Sequence, residues 1–119
     1  MSKTVLIADD SMFSRNLIKN VVRDNGFEVI AEASNGRSAV TSYQEKATDI
    51  VILDLTMPLL NGLEALQEII DYDPKAKVIM YSAMGQQRLI IEALKIGAKD
   101  FVIKPNINKL LPAMKKIFW

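Results

Sequence analysis

Five short apolar runs recur along the chain: Val5–Ala8, Val29–Ala33, Ile50–Leu53, Val78–Tyr81 and Phe101–Ile103. They are rich in Val and Ile and bounded by Asp, Gly, Lys or Pro, the pattern of strands buried on both faces. Segments of helical period separate them. Phe13, Leu17, Ile18, Val21 and Val22 fall on one face of a first helix, which "DNG" closes with Gly26 as the left-handed cap. Ala39, Val40 and Tyr43 mark a second helix, and Leu63, Leu66, Ile69 and Ile70 a third. A fourth carries Leu89, Ile90, Ala93 and Leu94 and closes at Gly97; Ile107, Leu110, Leu111, Met114, Ile117 and Phe118 give a fifth. Strands that alternate with helices pair in parallel, because a parallel pair needs a long crossover. Right-handed crossovers then place helices on both faces, which predicts an α/β, doubly wound, five-stranded parallel sheet. Glu32 dilutes the second run and gives it the character of an edge strand.

The chain has 119 residues, enough for one domain over 1–119 and too few for two. A net charge of +1 gives no field of the kind that draws polyanions, so no nucleic-acid partner is expected. Cysteine and histidine are both absent. Thiolate and imidazole nucleophiles, bases and metal ligands go with them, and any metal must be held by oxygen, which favours magnesium or calcium. No signal peptide and no apolar run of membrane-spanning length is visible, so the expectation is a soluble cytoplasmic protein without membrane insertion.

In a doubly wound sheet, ligands bind outside the carboxyl ends of the strands. The first strand ends in Asp9 and Asp10, the third in Asp54, the fourth in Ser82 and the fifth in Lys104. Each has an ordinary explanation alone: Asp10 or Ser11 as a helix N-cap, Asp54 as a turn residue, Ser82 as a loop residue, Lys104 as a solvated strand end. Those explanations do not account for their gathering at one edge. Two carboxylates about 4 Å apart repel by roughly 4 kcal/mol at an effective dielectric near 20, so three need a cation. Magnesium held by oxygen, a lysine, a hydroxyl and a carboxylate nucleophile together describe phosphoryl transfer to an aspartate.

The "DD" at 9–10, the "D-x-x-M-P-x-x-N-G" from Asp54 to Gly62, the Ser82-Ala83 pair and the "KP" at 104–105 resemble the receiver domain of bacterial response regulators. The resemblance spans the whole chain. It implies the flavodoxin-like strand order 2-1-3-4-5. It further implies Asp54 as phosphoacceptor and Mg2+ held by Asp9, Asp10, Asp54 and the Thr56 backbone carbonyl. Lys104 would pair with the phosphoryl group, and the Lys104-Pro105 bond would be cis. Ser82 would move to the phosphoryl oxygens and Phe101 would swing inward after it, changing the face made by the fourth helix, fifth strand and fifth helix. With no histidine in the chain, the phosphodonor would be a partner histidine kinase. The protein would be a switch and not a turnover enzyme.

The stretch from Ser82 to Pro105 looks most like stand-alone chemotaxis regulators, which implies a monomer with the flagellar motor switch as effector and a phosphatase as further partner. Asn106 departs from the aromatic often found after "KP", and Thr56 and Met84 occupy the positions where the family tunes dephosphorylation. Two other readings are a receiver cut from a multi-domain regulator, such as a transcription factor, and a magnesium-dependent aspartate phosphatase. The phosphatase class wants D-x-D on its first strand, where this chain has adjacent aspartates.

Overall fold

The computed structural model describes residues 2–119. Its elements run β1 (Lys3–Ala8), α1 (Met12–Val22), β2 (Phe27–Ala33), α2 (Gly36–Glu45), β3 (Ile50–Leu53), α3 (Gly62–Tyr72), β4 (Val78–Ser82), α4 (Gln87–Ile96), β5 (Asp100–Ile103) and α5 (Leu110–Phe118). All pairings are parallel and the strand order is β2-β1-β3-β4-β5, with β2 at an edge as Glu32 suggested.

Side chains alternate across a strand, so each central strand feeds two cores. Leu6, Ala8, Val51, Leu53, Val78 and Met80 pack on one face beneath α2, α3 and α4. Val5, Ile7, Ile50, Ile52, Ile79 and Tyr81 pack on the other beneath α1 and α5. Burial on both faces is why these strands read as continuous apolar runs.

Three backbone bonds carry this register one residue past the strands. Asp9 N donates to Ala33 O, Asp54 N to Ala8 O and Lys104 N to Ser82 O, each at 2.9–3.0 Å. The residue that leaves each strand is thereby tied to its neighbour, and the sheet edge becomes a rigid mount. A large cleft and a smaller one among the described residues lie away from this edge. The larger, about 520 Å³ between Lys19, Arg23, Phe27 and Val29, holds no comparable cluster of reactive groups.

The structure corrects the sequence reading in four places. The core stripe of α1 is Ser14, Ile18 and Val22, while Phe13 is 73% exposed and Leu17 is also exposed. Residues spaced by four form one stripe, and Phe13 and Leu17 sit on the next one round the helix. The left-handed residue after α1 is Asp24 (φ 67°); Gly26 also has positive φ but its carbonyl receives Lys3 N, so it leads into β2 and does not cap α1. The fifth helix opens with a 3₁₀ turn, Ile107–Lys109, before α5 proper, and Leu94 on α4 faces solvent.

Candidate functional site

The site begins where β1 hands over to α1. Ser11 is the N-cap, its hydroxyl accepting from Ser14 N, and its own N–H donates to Asp9 Oδ1 at 2.9 Å. Asp9 Oδ2 accepts from Ser14 Oγ at 2.6 Å and from Lys104 Nζ at 2.8 Å. The Asp9 carbonyl accepts from Arg15 Nη1 at 2.7 Å, and Arg15 Nε also donates to Glu32. Asp9 is therefore buried and held on every side, whereas Asp10 is exposed.

Asp54 leaves β3 almost fully buried, with Oδ2 accepting from Lys104 Nζ at 3.0 Å. Thr56 N donates to Asp54 Oδ1 at 3.4 Å, which sets the Thr56 peptide at the rim of the carboxylates. The loop from Asp54 to Asn61 is clamped by two glycines that have no room for a side chain. A Cβ on Gly62 would overlap the Asp54 carbonyl, and one on Gly36 would overlap the Leu60 carbonyl. Asn61 and Glu64 then close a reciprocal capping box that starts α3. The "N-G" that ends the motif is thus a cap followed by a close approach to the Asp54 backbone.

One carboxylate oxygen from each of Asp9, Asp10 and Asp54 lies within 4.8 Å of the others. The Lys104 ammonium bridges two of them. Burial alone would lower the lysine's pKa, but the hydrogen bonds and attraction of Asp9 and Asp54 outweigh it and leave it raised. Lys104 Nζ also lies 5.6 Å from the Tyr81 ring. Three carboxylates against one ammonium leave an excess of two negative charges. An all-oxygen donor set with that excess fits a magnesium ion that keeps several of its waters.

Ser82 is fully buried and its side chain is bonded outside this cluster, Oγ accepting from Met84 N at 3.1 Å. Alternation along β4 gives Ser82 the parity of Val78 and Met80, on the α4 side of the sheet, whereas Asp54 follows Ile50 and Ile52 toward the α1 side. Phe101 is half-buried on the same α4 side as Ser82. The Lys104–Pro105 bond is cis. Beside the site, Leu55, Leu63, Met84 and Leu89 line an apolar pocket of about 160 Å³ with Thr56 and Asn61 at its rim.

Sequence reasoning missed Ser14, Arg15 and the clamping role of the glycines. Ser14 was legible in principle: a lone hydroxyl on the stripe that continues through Ile18 and Val22 must find a polar partner if buried.

Residues 5–115 match the family model described as response regulator receiver domain. The chain is 56% identical over 113 residues to chemotaxis protein CheY of Listeria monocytogenes, covering 94% of this chain and 95% of that protein. It is 49% identical over 118 residues to chemotaxis protein CheY of Thermotoga maritima, covering 98% of each. Among solved structures, a chain in the CheX-CheY-BeF3-Mg+2 complex from Borrelia burgdorferi superposes with a TM-score of 0.94 at 38% identity, covering 98% of this chain and 90% of that one. Matched along its length in sequence and in fold, this chain belongs to the response regulator receiver domain family, and within it resembles the chemotaxis regulator CheY.

Proposed function

We propose that residues 1–119 form one receiver domain that takes a phosphoryl group on Asp54 from a partner histidine kinase and passes the signal to the flagellar motor switch. The observation that carries the reading is the convergence of Asp9, Asp10 and Lys104 on the buried carboxylate of Asp54. Asp9, Asp10, Asp54 and the Thr56 carbonyl would hold Mg2+. When bound, the ion offsets carboxylate repulsion and the charge of the phosphoryl oxygens.

Asp54 attacks phosphorus with a carboxylate oxygen as the bond from phosphorus to the donor imidazole breaks; the leaving imidazole takes up a proton from water. Lys104 then turns from the Asp54 carboxylate to a phosphoryl oxygen. The Ser82 hydroxyl, which now accepts from Met84 N, rotates to donate to another, drawing the loop before α4 with it. Phe101 moves inward into the space this opens on the α4 side. The face of α4, β5 and α5, where Ile91, Leu94 and Ile103 are exposed, thereby changes affinity for its effector. Throwing such a switch from about 1:99 to 99:1 takes about 5.5 kcal/mol of differential stabilisation.

The product remains bound to the chain, so the protein acts as a switch and not as a turnover enzyme; spontaneous hydrolysis or a separate phosphatase resets it. It works as a monomer in the cytoplasm. No helix is long and apolar enough to cross a membrane among the described residues. The test of the output is a pull-down with and without beryllofluoride and magnesium. Enrichment of flagellar switch proteins only in its presence supports the reading. Equal recovery, or none, would overturn the motor assignment and favour the reading of a receiver cut from a multi-domain regulator.

A further inference from the structure

Five polar side chains are buried among the described residues: Asp9, Ser14, Thr48, Asp54 and Ser82. Thr48 donates to the Ile50 carbonyl beside it, and three of the others belong to the constellation at the strand ends. Ser14 is the remaining one. It occupies the innermost stripe of α1, where an apolar side chain would add to the core, and a buried hydroxyl there costs free energy unless it is bonded.

Its bond is specific. Side chains on a helix lean toward the N-terminus, so Ser14, in the first turn of α1, points back at the end of β1. Ser14 Oγ donates to Asp9 Oδ2 at 2.6 Å, in the range of a charge-assisted bond. Ser14 N donates to Ser11 Oγ, and Ser11 N donates to Asp9 Oδ1, so the two serines grip both oxygens of one carboxylate. An ionised carboxylate oxygen has two lone-pair directions. On Oδ2 both are taken, by Ser14 and Lys104; on Oδ1 only Ser11 N takes one.

We propose that Ser14 is a positioning residue for the cation site. It fixes the Asp9 carboxylate so that Oδ1 is the oxygen presented to a divalent cation. It also keeps Oδ2 bonded when Lys104 departs for a phosphoryl group on Asp54. The proposal rests on the magnesium-binding part of the function proposed above. Partners that orient a metal ligand typically change metal affinity 10–100-fold when removed.

The test is calorimetric titration of Mg2+ into the unphosphorylated protein, with thermal unfolding in metal-free buffer run alongside. Ser14→Ala should weaken Mg2+ binding about tenfold, and Ser14→Thr, which keeps the hydroxyl, should restore it. Metal-free stability should fall measurably with Ser14→Ala, since a buried carboxylate loses a charge-assisted bond, with part of the loss offset by alanine's better helix propensity. Wild-type binding that is equalled or exceeded by Ser14→Ala, or a threonine variant as weak as the alanine one, overturns the role of Ser14 alone. A wild-type protein that takes up no Mg2+ overturns the site itself, and Ser14 with it.

Discussion

Lys104 Nζ, just past β5, donates to Asp54 Oδ2, just past β3, at 3.0 Å, reaching across the end of β4 to do so. The same ammonium holds Asp9 Oδ2, so one lysine is the protein's own counter-ion for two buried carboxylates. Removing one partner of a buried pair leaves the other uncompensated.

Lys104→Met keeps most of the stem and removes the charge. In metal-free buffer it should lower unfolding free energy by about 1.5–3 kcal/mol, the scale of a hydrogen bond to a charged group. Magnesium should recover most of that loss, since it takes over the neutralising role. Urea titrations with and without Mg2+ measure both. A variant as stable as wild type without metal would contradict the account of Lys104.

Gly62 tests the mounting of Asp54. As the first residue of α3, alanine there would gain up to about 1 kcal/mol of helix propensity. Against that, its Cβ would overlap the Asp54 carbonyl, and Gly62 N already donates to Leu55 O at 2.7 Å. Backbone cannot yield as a flexible side chain can, so the overlap should win and Gly62→Ala should cost at least about 2 kcal/mol net. Phosphorylation should slow as well, because the shift falls on the residue proposed as nucleophile. Stability equal to or above wild type would show that the loop relaxes freely.

A pH signature comes from the far side of the molecule. Tyr43 Oη donates to Asp73 Oδ2 at 2.7 Å, joining α2 to the end of α3. Burial, and then the Asp73 bond and charge, raise the phenol's pKa. A raised folded pKa contributes stability that is full below the unfolded value of about 10 and is lost as pH climbs toward the folded one. Asp73 is lowered, chiefly by the Tyr43 bond, so its share is present above about 3.9 and fades as pH falls through the folded value. Tyr43→Phe should cost about 1 kcal/mol near neutrality. Denaturation curves should show that difference narrowing above pH ~10 and again in acid. A difference constant across pH would refute the link.

Much of this was legible in the sequence because burial on both faces writes a continuous apolar run. β3 has the bounds its sequence suggested, Ile50–Leu53, and four of the five strands, all but β2, carry a polar residue at or just past their carboxyl ends. The face of α1 was misread for a physical reason. Phe13 and Leu17 outweigh Ser14 on any hydrophobic count, yet Ser14 is the buried one because Asp9 satisfies its hydroxyl. Gly26 misled because a positive φ is needed there for the entry to β2, while Asp24 supplies the left-handed turn after the helix. Nor could spacing show that Ser82 starts on the other side of the sheet from Lys104, since which face an end residue takes depends on the register of strands distant in sequence.

The central claim is that Asp54 receives the phosphoryl group. Incubating the protein with acetyl phosphate and magnesium, then mapping the modified residue by mass spectrometry after borohydride trapping, tests it directly. The account predicts one label, on Asp54, that needs Mg2+ and vanishes in Asp54→Ala. A label that persists in Asp54→Ala at wild-type level, or that maps to Asp9 or Asp10 in the wild-type protein, would contradict it.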